Sequence, residues 1–292
     1  MVSIKISAVL LIKKIFTQIK NLKKIKSFIQ NKKSYKNSAI KVPFILKPFT
    51  FIRENGGTIT KSYKNFLKIE KYNKSENKKI FYNDIKTWDY KAAMENRYIK
   101  NLKFLEDYFI PLLKPDDILC DIGCASGQYT FMMAKHCKYI DGYDMSQNLI
   151  DDANEKAKNN NISNVFFHQS RCETIKFDKI YDNMSFMGVL CYVMDDKIAE
   201  QTIENLSKGL KKGGYLIYKD NSNNTNGHYY FFGPEENYFM VARSKKKLIK
   251  LFQKKGFKII KEDLFDTVEY KNNKHKKIPL KTDSIGMILQ KI

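Results

Sequence analysis

Tryptophan occurs once in the 292 residues and cysteine five times, with no CxxC pair among them. The four histidines are isolated from one another, and His136 beside Cys137 has no further Cys or His at ligand spacing. That removes the ligand spacing of a structural zinc site and the pairing density of a disulfide scaffold, so no metal is implied and a reduced, cytoplasmic protein is the expectation. The longest apolar run of the first thirty residues, Ala8 to Ile12, is too short to cross a bilayer, and lysines interrupt what a secretory signal would keep apolar. No internal repeat is present. Acids are scarce at one end: residues 1–80 hold 20 Lys or Arg against Glu54, Glu70 and Glu76, leaving only +5 of the formal +22 for residues 81–292. Lysine greatly outnumbers arginine, and lysine grips phosphate less specifically than an arginine fork, so the total charge says little about nucleic acid.

With 43% apolar residues, the chain can build the core of one large α/β domain plus an extension, residues 1–80. The stretch KISAVLLIKKIFTQIKNLKKIKSFI repeats Leu, Ile and Phe at helical spacing among lysines, as a basic amphipathic helix does. Over residues 1–30 such a helix packs on its own protein or a sister subunit, or lies peripherally on an acidic membrane; the spacing leaves both open. Residues 31–80 are rich in Lys, Asn and Ser and read as a linker or accessory segment. A second domain is expected over 81–292. Its first helical pattern runs through WDYKAAMENRYIKNLKFLEDYFIPLL and is interrupted at Pro111 and Pro115. Strands are expected at 118–122, 138–143, 164–168, 182–187, 214–219, 257–264 and 284–291, with helical runs between the first five and before the sixth. This alternation predicts a mainly parallel sheet covered on both faces. No helix-length pattern separates the last two strands, which are expected to pair antiparallel.

Residues 118–136, ILCDIGCASGQYTFMMAKH, place a glycine-bearing turn between a strand and a helix. Such a turn often receives a nucleotide-like ligand at the helix N-terminus. It is not the dinucleotide fingerprint GxGxxG, because Ala125 stands two positions after Gly123. Nor is it a Walker A loop, because Gln128 and Tyr129 follow Gly127 in place of Lys and Ser/Thr. A nucleoside without an evident phosphate grip fits what remains. The next strand ends in Asp144, 21 residues after Gly123, where a carboxylate can accept both hydroxyls of a ribose. Against this, Asp121 and Asp144 could merely cap their turns.

In these segments the chain resembles a class I S-adenosylmethionine-dependent methyltransferase. ILCDIGCASG is similar to that family's first motif, YIDGYDMSQNLIDDANEKAK to its second-strand motif, and YDNMSFMGVLCYV to its fourth strand. LSKGLKKGGYLIYKD and LIKLFQKKGFKII resemble the elements around strands five and six, so the likeness covers roughly residues 88–292. The resemblance implies a Rossmann-like seven-stranded sheet with an antiparallel last strand and S-adenosylmethionine as cofactor. Asp121 would meet the methionine ammonium, Gly123, Cys124, Ala125 and Gly127 would form the backbone cradle, Asp144 would hold the ribose and Met145 would pack on adenine. Ser170, Arg171, Cys172 and Glu173 stand where the family often has Gly-Asp-Ala-Glu. An arginine cannot accept a hydrogen bond from the adenine amine, so Arg171 either turns away or leaves that contact to another group. Met187 and Gly188 stand beside the methionine end.

A sulfonium methyl group needs a nucleophile aligned in line and water excluded. Ligands occupy the C-terminal edge of such sheets, which draws attention to Cys191 and Tyr192 after strand four. It also draws attention to His228, Tyr229 and Tyr230 in the polar and aromatic insertion after strand five. Tyr192, His228 and Tyr229 are the candidate catalytic residues; Trp88 or Tyr98 could cover the methionine side. His168, interior to a strand, reads as structural, and Cys120, Cys124 and Cys172 as small buried residues. No Asn/Asp-Pro-Pro-aromatic motif follows strand four, and Cys191 is not preceded by proline, which weakens base-directed chemistry. The expected acceptor is therefore an N or O atom of a small molecule, a sugar, metabolite or cell-envelope precursor. RNA or protein captured by the basic extension, a non-catalytic cofactor-binding role, and oligomer formation stay open.

Overall fold

The computed structural model describes residues 50–52, 58–60, 95–232, 239–271 and 277–292. The basic helix expected over residues 1–30 lies outside them, as does Trp88. The chain divides into two compact units, Met1–Thr50 and Phe51–Ile292. In order the elements are β1 (Thr50–Ile52), β2 (Thr58–Thr60), α1 (Glu95–Tyr108), β3 (Ile118–Ile122), α2 (Gln128–Met133), β4 (Tyr139–Asp144), α3 (Gln147–Asn159), β5 (Val165–Gln169) and β6 (Tyr181–Met187). There follow α4 (Asp196–Gly209), β7 (Leu210–Asn223), β8 (Tyr229–Phe232), β9 (Phe239–Ser244), α5 (Lys245–Lys254), β10 (Phe257–Lys271) and β11 (Lys277–Lys291).

Strands β5, β4, β3, β6 and β7 lie side by side and parallel. β11 then runs antiparallel to β7, and β10 antiparallel to β11 with Leu264 opposite Ile285. All seven expected strands are present, and the last two pair as the sequence suggests. Strand β3 sits at the centre, and its residues from Leu119 to Ile122 are all buried, as a strand covered on both faces requires.

The helices form by local rules. Ser146 caps α3, its Oγ accepting from Leu149 N, and Leu149, Ile150, Ala153 and Ala157 make the buried stripe. Asp195 caps α4 by accepting from the amides of Lys197 and Ile198 at 2.7 and 3.1 Å. Two apolar layers result. Phe104 and Leu105 of α1, Met133 of α2 and Ile150 and Ala153 of α3 pack on one face of the sheet. Ala199, Ile203 and Leu206 of α4 and Leu248 and Phe252 of α5 pack on the other.

One expectation is corrected. No helix stands between β5 and β6: residues 170–180 cross over as a turn and irregular segment. Eleven residues are few for a helical crossover. Buried Ile175 and half-buried Phe177 anchor the segment, and the Phe177 ring lies so close to Gly209 that a Cβ there would come within 2.4 Å. The insertion after β7 contributes two strands. Its β8 and β9 pair antiparallel, β2 adds to β8, and the tip of β9 pairs parallel with Ser222 and Asn223 of β7.

Phe252 is fully buried and meets Tyr218 and Phe257 edge-on at 4.9 and 5.7 Å between ring centroids. Phe252→Ala should lower the unfolding free energy by about 3–5 kcal/mol in urea titration; a loss under about 1 kcal/mol would contradict this packing.

Candidate functional site

The predicted cofactor residues converge at the C-terminal ends of β3, β4 and β6. Gly123 and Cys124 both donate backbone N–H bonds to Tyr143 O, at 2.7 and 3.1 Å, which lays the turn after β3 against the end of β4. Asp144 completes the seam: Oδ2 accepts from Ala125 N at 3.0 Å and Oδ1 from Ser146 N at 2.9 Å. Burial nevertheless pushes the Asp144 carboxyl up, because desolvation outweighs those two amides. Ala125 adopts a left-handed φ of 47°, which costs an L-residue about 1–2 kcal/mol. Gly127 at φ 83° begins α2.

Asp121 is buried at the end of β3 and accepts from Thr130 Oγ1 at 2.6 Å. Burial pushes its carboxyl up from 3.8 to about 6. A Cβ at Gly123 would fall 2.1 Å from Val189 Cγ2, so glycine there admits the turn after β6 as well as any ligand. Gly188, at φ 75° beside Met187, has no heavy atom within 4 Å of where a Cβ would stand.

These features fit S-adenosylmethionine. Each Asp144 oxygen uses one lone pair on an amide and keeps acceptor capacity for a ribose hydroxyl. The backbone at Gly188 is open to close approach. Asp121 carries an ionised form that burial disfavours and that a cationic amine would favour.

Met145 is half-buried, and its carbonyl accepts from Gln169 Nε2 at 3.2 Å. Arg171 turns to Glu173, donating from Nε to Oε1 at 2.8 Å and also from Nη2. Burial pushes the Glu173 carboxyl up, but its backbone amide and Arg171 outweigh this and hold it low. Cys172 Sγ faces the second Glu173 oxygen at 3.4 Å. Burial drives the thiols of Cys120, Cys124 and Cys191 far up, so none is a ready nucleophile.

The residues expected on the acceptor side lie in the turn after β6 and in the insertion. Tyr192 is half-buried in the turn Leu190–Tyr192, its amide donating to Val189 O at 3.0 Å. His228 Nε2 lies 2.9 Å from Asp196 Oδ2 at the start of α4, and Ser244 N donates to Nδ1 at 3.4 Å. Tyr229 is buried in β8, while Tyr230 is half-buried. His168 stands on β5 opposite Tyr143 of β4, its ring facing Asp141. Tyr98 lies within α1.

Three residues that sequence reasoning passed over hold the turn after β6 and the start of α4 together. Buried Asp220 accepts from Cys191 N at 2.8 Å. Buried Arg243 donates from Nη1 to Leu190 O at 2.8 Å, from Nη2 to Val193 O, and from Nε to Asp196 Oδ1 at 3.0 Å. Burial pushes the Asp196 carboxyl up, but His228 and Arg243 bring it down to about 2. One signal was available: only four of the 53 basic residues are arginine, and one sits in the apolar run FMVARS.

Asp121 yields a test with a definite sign. Its folded value of about 6 lies above the model-peptide 3.8, so the folded state binds the extra proton. Its contribution to stability therefore falls as pH rises from about 4 to 6 and stays unfavourable above that window. Relative to the parent, Asp121→Asn should be more stable at pH 7, by at most about 3 kcal/mol, with the gain vanishing near pH 4. The same variant should bind S-adenosylhomocysteine more weakly in calorimetry. Equal stability differences at both pH values would rule out the raised carboxyl.

Residues 113–272 match the family model described as a methyltransferase domain. The 23S rRNA (uracil(1939)-C(5))-methyltransferase RlmD of Legionella pneumophila is 35% identical over 78 residues, 27% of this chain and 18% of that protein. The chain thus matches less than a fifth of that relative's length. The carboxy-S-adenosyl-L-methionine synthase of Campylobacter jejuni is 25% identical over 193 residues, covering 58% of this chain and 80% of that one. Among solved structures, StiE O-MT aligns at a TM-score of 0.50 with 14% identity, covering 66% of this chain and 73% of its own, a likeness of fold. Because the family match spans more than half of the residues and runs through the seam that joins β3 to β4, the chain belongs to the S-adenosylmethionine-dependent class I methyltransferases.

Proposed function

We propose that this methyltransferase transfers its methyl group to an N or O atom of a small molecule, such as a sugar, a metabolite or a cell-envelope precursor. The observation that carries this reading is the clamp on the acceptor side. Asp220 from β7 and Arg243 from β9 fix the turn Leu190–Val193 from two directions, and both are buried. A wall set this firmly suits a compact acceptor of fixed shape, since alignment of the nucleophile supplies much of the rate in methyl transfer.

When bound, the cofactor supplies an electrophilic methyl group on a sulfonium. In this reading Asp121 holds the methionine ammonium, Asp144 the ribose and Met145 the adenine, while Gly123, Cys124, Ala125, Gly127 and Met187 give the backbone room to approach. Tyr192, in the clamped turn, orients the acceptor. His228 and Tyr229 serve it from the insertion, His228 by tying β8 to Asp196. The second reading, capture of RNA or protein by the basic extension, is favoured by the 20 Lys or Arg of residues 1–80.

Two measurements test this. Asp144→Ala should weaken S-adenosylmethionine binding in calorimetry by about tenfold or more, some 1.4 kcal/mol; unchanged affinity would remove the ribose assignment. With tritiated S-adenosylmethionine and fractionated cell extract, label should enter the low-molecular-mass fraction. Label confined to RNA or protein would reverse the choice of acceptor.

A further inference from the structure

Gln169 ends β5 directly opposite Asp144 of β4, and its amide is committed to one orientation. Nε2 donates to Met145 O at 3.2 Å, although the side chain is exposed and adds little to the core. Alternation along β5 puts Gln169 on the face of Val165 and Phe167, which pack with Met133 of α2 and Ile150 of α3. The Phe167 ring lies against the cofactor turn itself. A Cβ at Gly127 would come within 2.9 Å of its Cζ, and one at Gly142 within 2.7 Å of its Cδ1. Two residues further along the same face, Gln169 stands at the C-terminal end of the strand, the end at which ligands of such sheets lie.

The bond to Met145 decides which end of the amide looks outward. Only an NH2 group can face a carbonyl oxygen, so Nε2 is turned to Met145 and Oε1 away from it. Nε2 keeps a second N–H. Turned end for end, the amide would set two carbonyl oxygens against each other, so the order of acceptor and donor is locked. Neither Arg171 nor Glu173 offers such a pair. Arg171 only donates, from Nε and Nη2 to Glu173 Oε1. The second Glu173 oxygen faces Cys172 Sγ at 3.4 Å, and an ionised carboxylate accepts without donating.

We propose that Gln169 reads the base of the cofactor, accepting from the adenine amine at Oε1 and donating from Nε2 to the adjacent ring nitrogen, N1. This rests on the reading in which Asp144 holds the ribose and Met145 packs on adenine. Amide side chains recognise adenine through its amine and a neighbouring ring nitrogen, as they do on the bases of DNA. Hypoxanthine reverses the order, with a carbonyl oxygen in place of the amine and an N–H at N1. Against Gln169 it would set acceptor against acceptor and donor against donor. An unlocked amide would turn to suit either base; one held by Met145 O selects adenine.

The test is calorimetry on the full-length protein with S-adenosylhomocysteine and with S-inosylhomocysteine, which differs only in carrying hypoxanthine. The parent should prefer the adenine ligand by about tenfold or more. Gln169→Ala should remove most of that preference, mainly by weakening S-adenosylhomocysteine. A role confined to holding Met145 would weaken both ligands alike and leave the ratio unchanged, which would overturn the assignment. So would a parent that binds the two ligands equally, or a Glu173→Gln variant that loses the preference while Gln169→Ala keeps it. Asp144→Ala separates this inference from the reading beneath it. Both ligands carry the ribose, so that variant should weaken both by the same factor and keep the ratio. If it binds both as the parent does, the ribose assignment falls and the role of Gln169 with it. If Asp144→Ala behaves as expected and Gln169→Ala keeps the ratio, the cofactor edge stands and another group reads the base.

Discussion

Two backbone amides, from Ala125 and Ser146, meet on the carboxylate of Asp144, and the arrangement of the cofactor edge depends on that meeting. β3 and β4 are joined along their length by ordinary parallel pairing, but this stops where the strands end. Beyond it, Asp144 and the carbonyl of Tyr143 hold the turn in place. Hydrogen bonds to a charged group are worth about 1.5–3 kcal/mol, against about 1–2 kcal/mol for a left-handed alanine. The seam therefore outweighs the strain at Ala125, and a turn lacking glycine at this position keeps its shape.

Much of this edge was legible in the amino-acid order because its causes are local. An apolar run ending in an acid, followed by glycines and an amphipathic stretch, specifies strand, turn and helix within about twenty residues, and at Asp144 an apolar run again ends in an acid before a Ser-capped amphipathic stretch. The departures lie where the causes are distant. Residues 170–180 carry Ile175 and Phe177 at a spacing that serves neither a clear helix nor a strand, and their place is set by contact with Gly209, thirty residues on. Strand β9 owes its register to two residues at the tip of β7, which no periodicity within FMVARS announces. His228 shows the same limit: its type suggested chemistry, whereas its position against Asp196 depends on a helix start that the sequence places elsewhere.

Several acids of this domain hold the fold in place. Asp220 and Asp196 are spent on backbone and cationic partners around the turn after β6, and Asp141 on the opposite face of β4. Arginine follows the same economy. In a chain that uses lysine almost everywhere, Arg171 and Arg243 each meet a carboxylate with the nitrogen fork that lysine lacks, and Arg243 adds two carbonyls that a single ammonium could not reach together. Lysine carries charge in this protein, and arginine carries geometry.

β11 lies between β7 and β10 and pairs with both, although it is the last of the three to be synthesised. While the ribosome is still making the preceding segment, the side of β7 from Tyr215 to Asn223 has no strand to accept its hydrogen bonds, and its apolar neighbours already line a half-built layer. Closure of the domain therefore waits on a strand that must enter an occupied sheet from the outside. During that interval the nascent chain displays the kind of open edge on which strands of other molecules register. A holdase or rapid pairing with β10 into a hairpin would shorten the exposure, and the antiparallel register of β10 with β11 is the local contact best suited to do so.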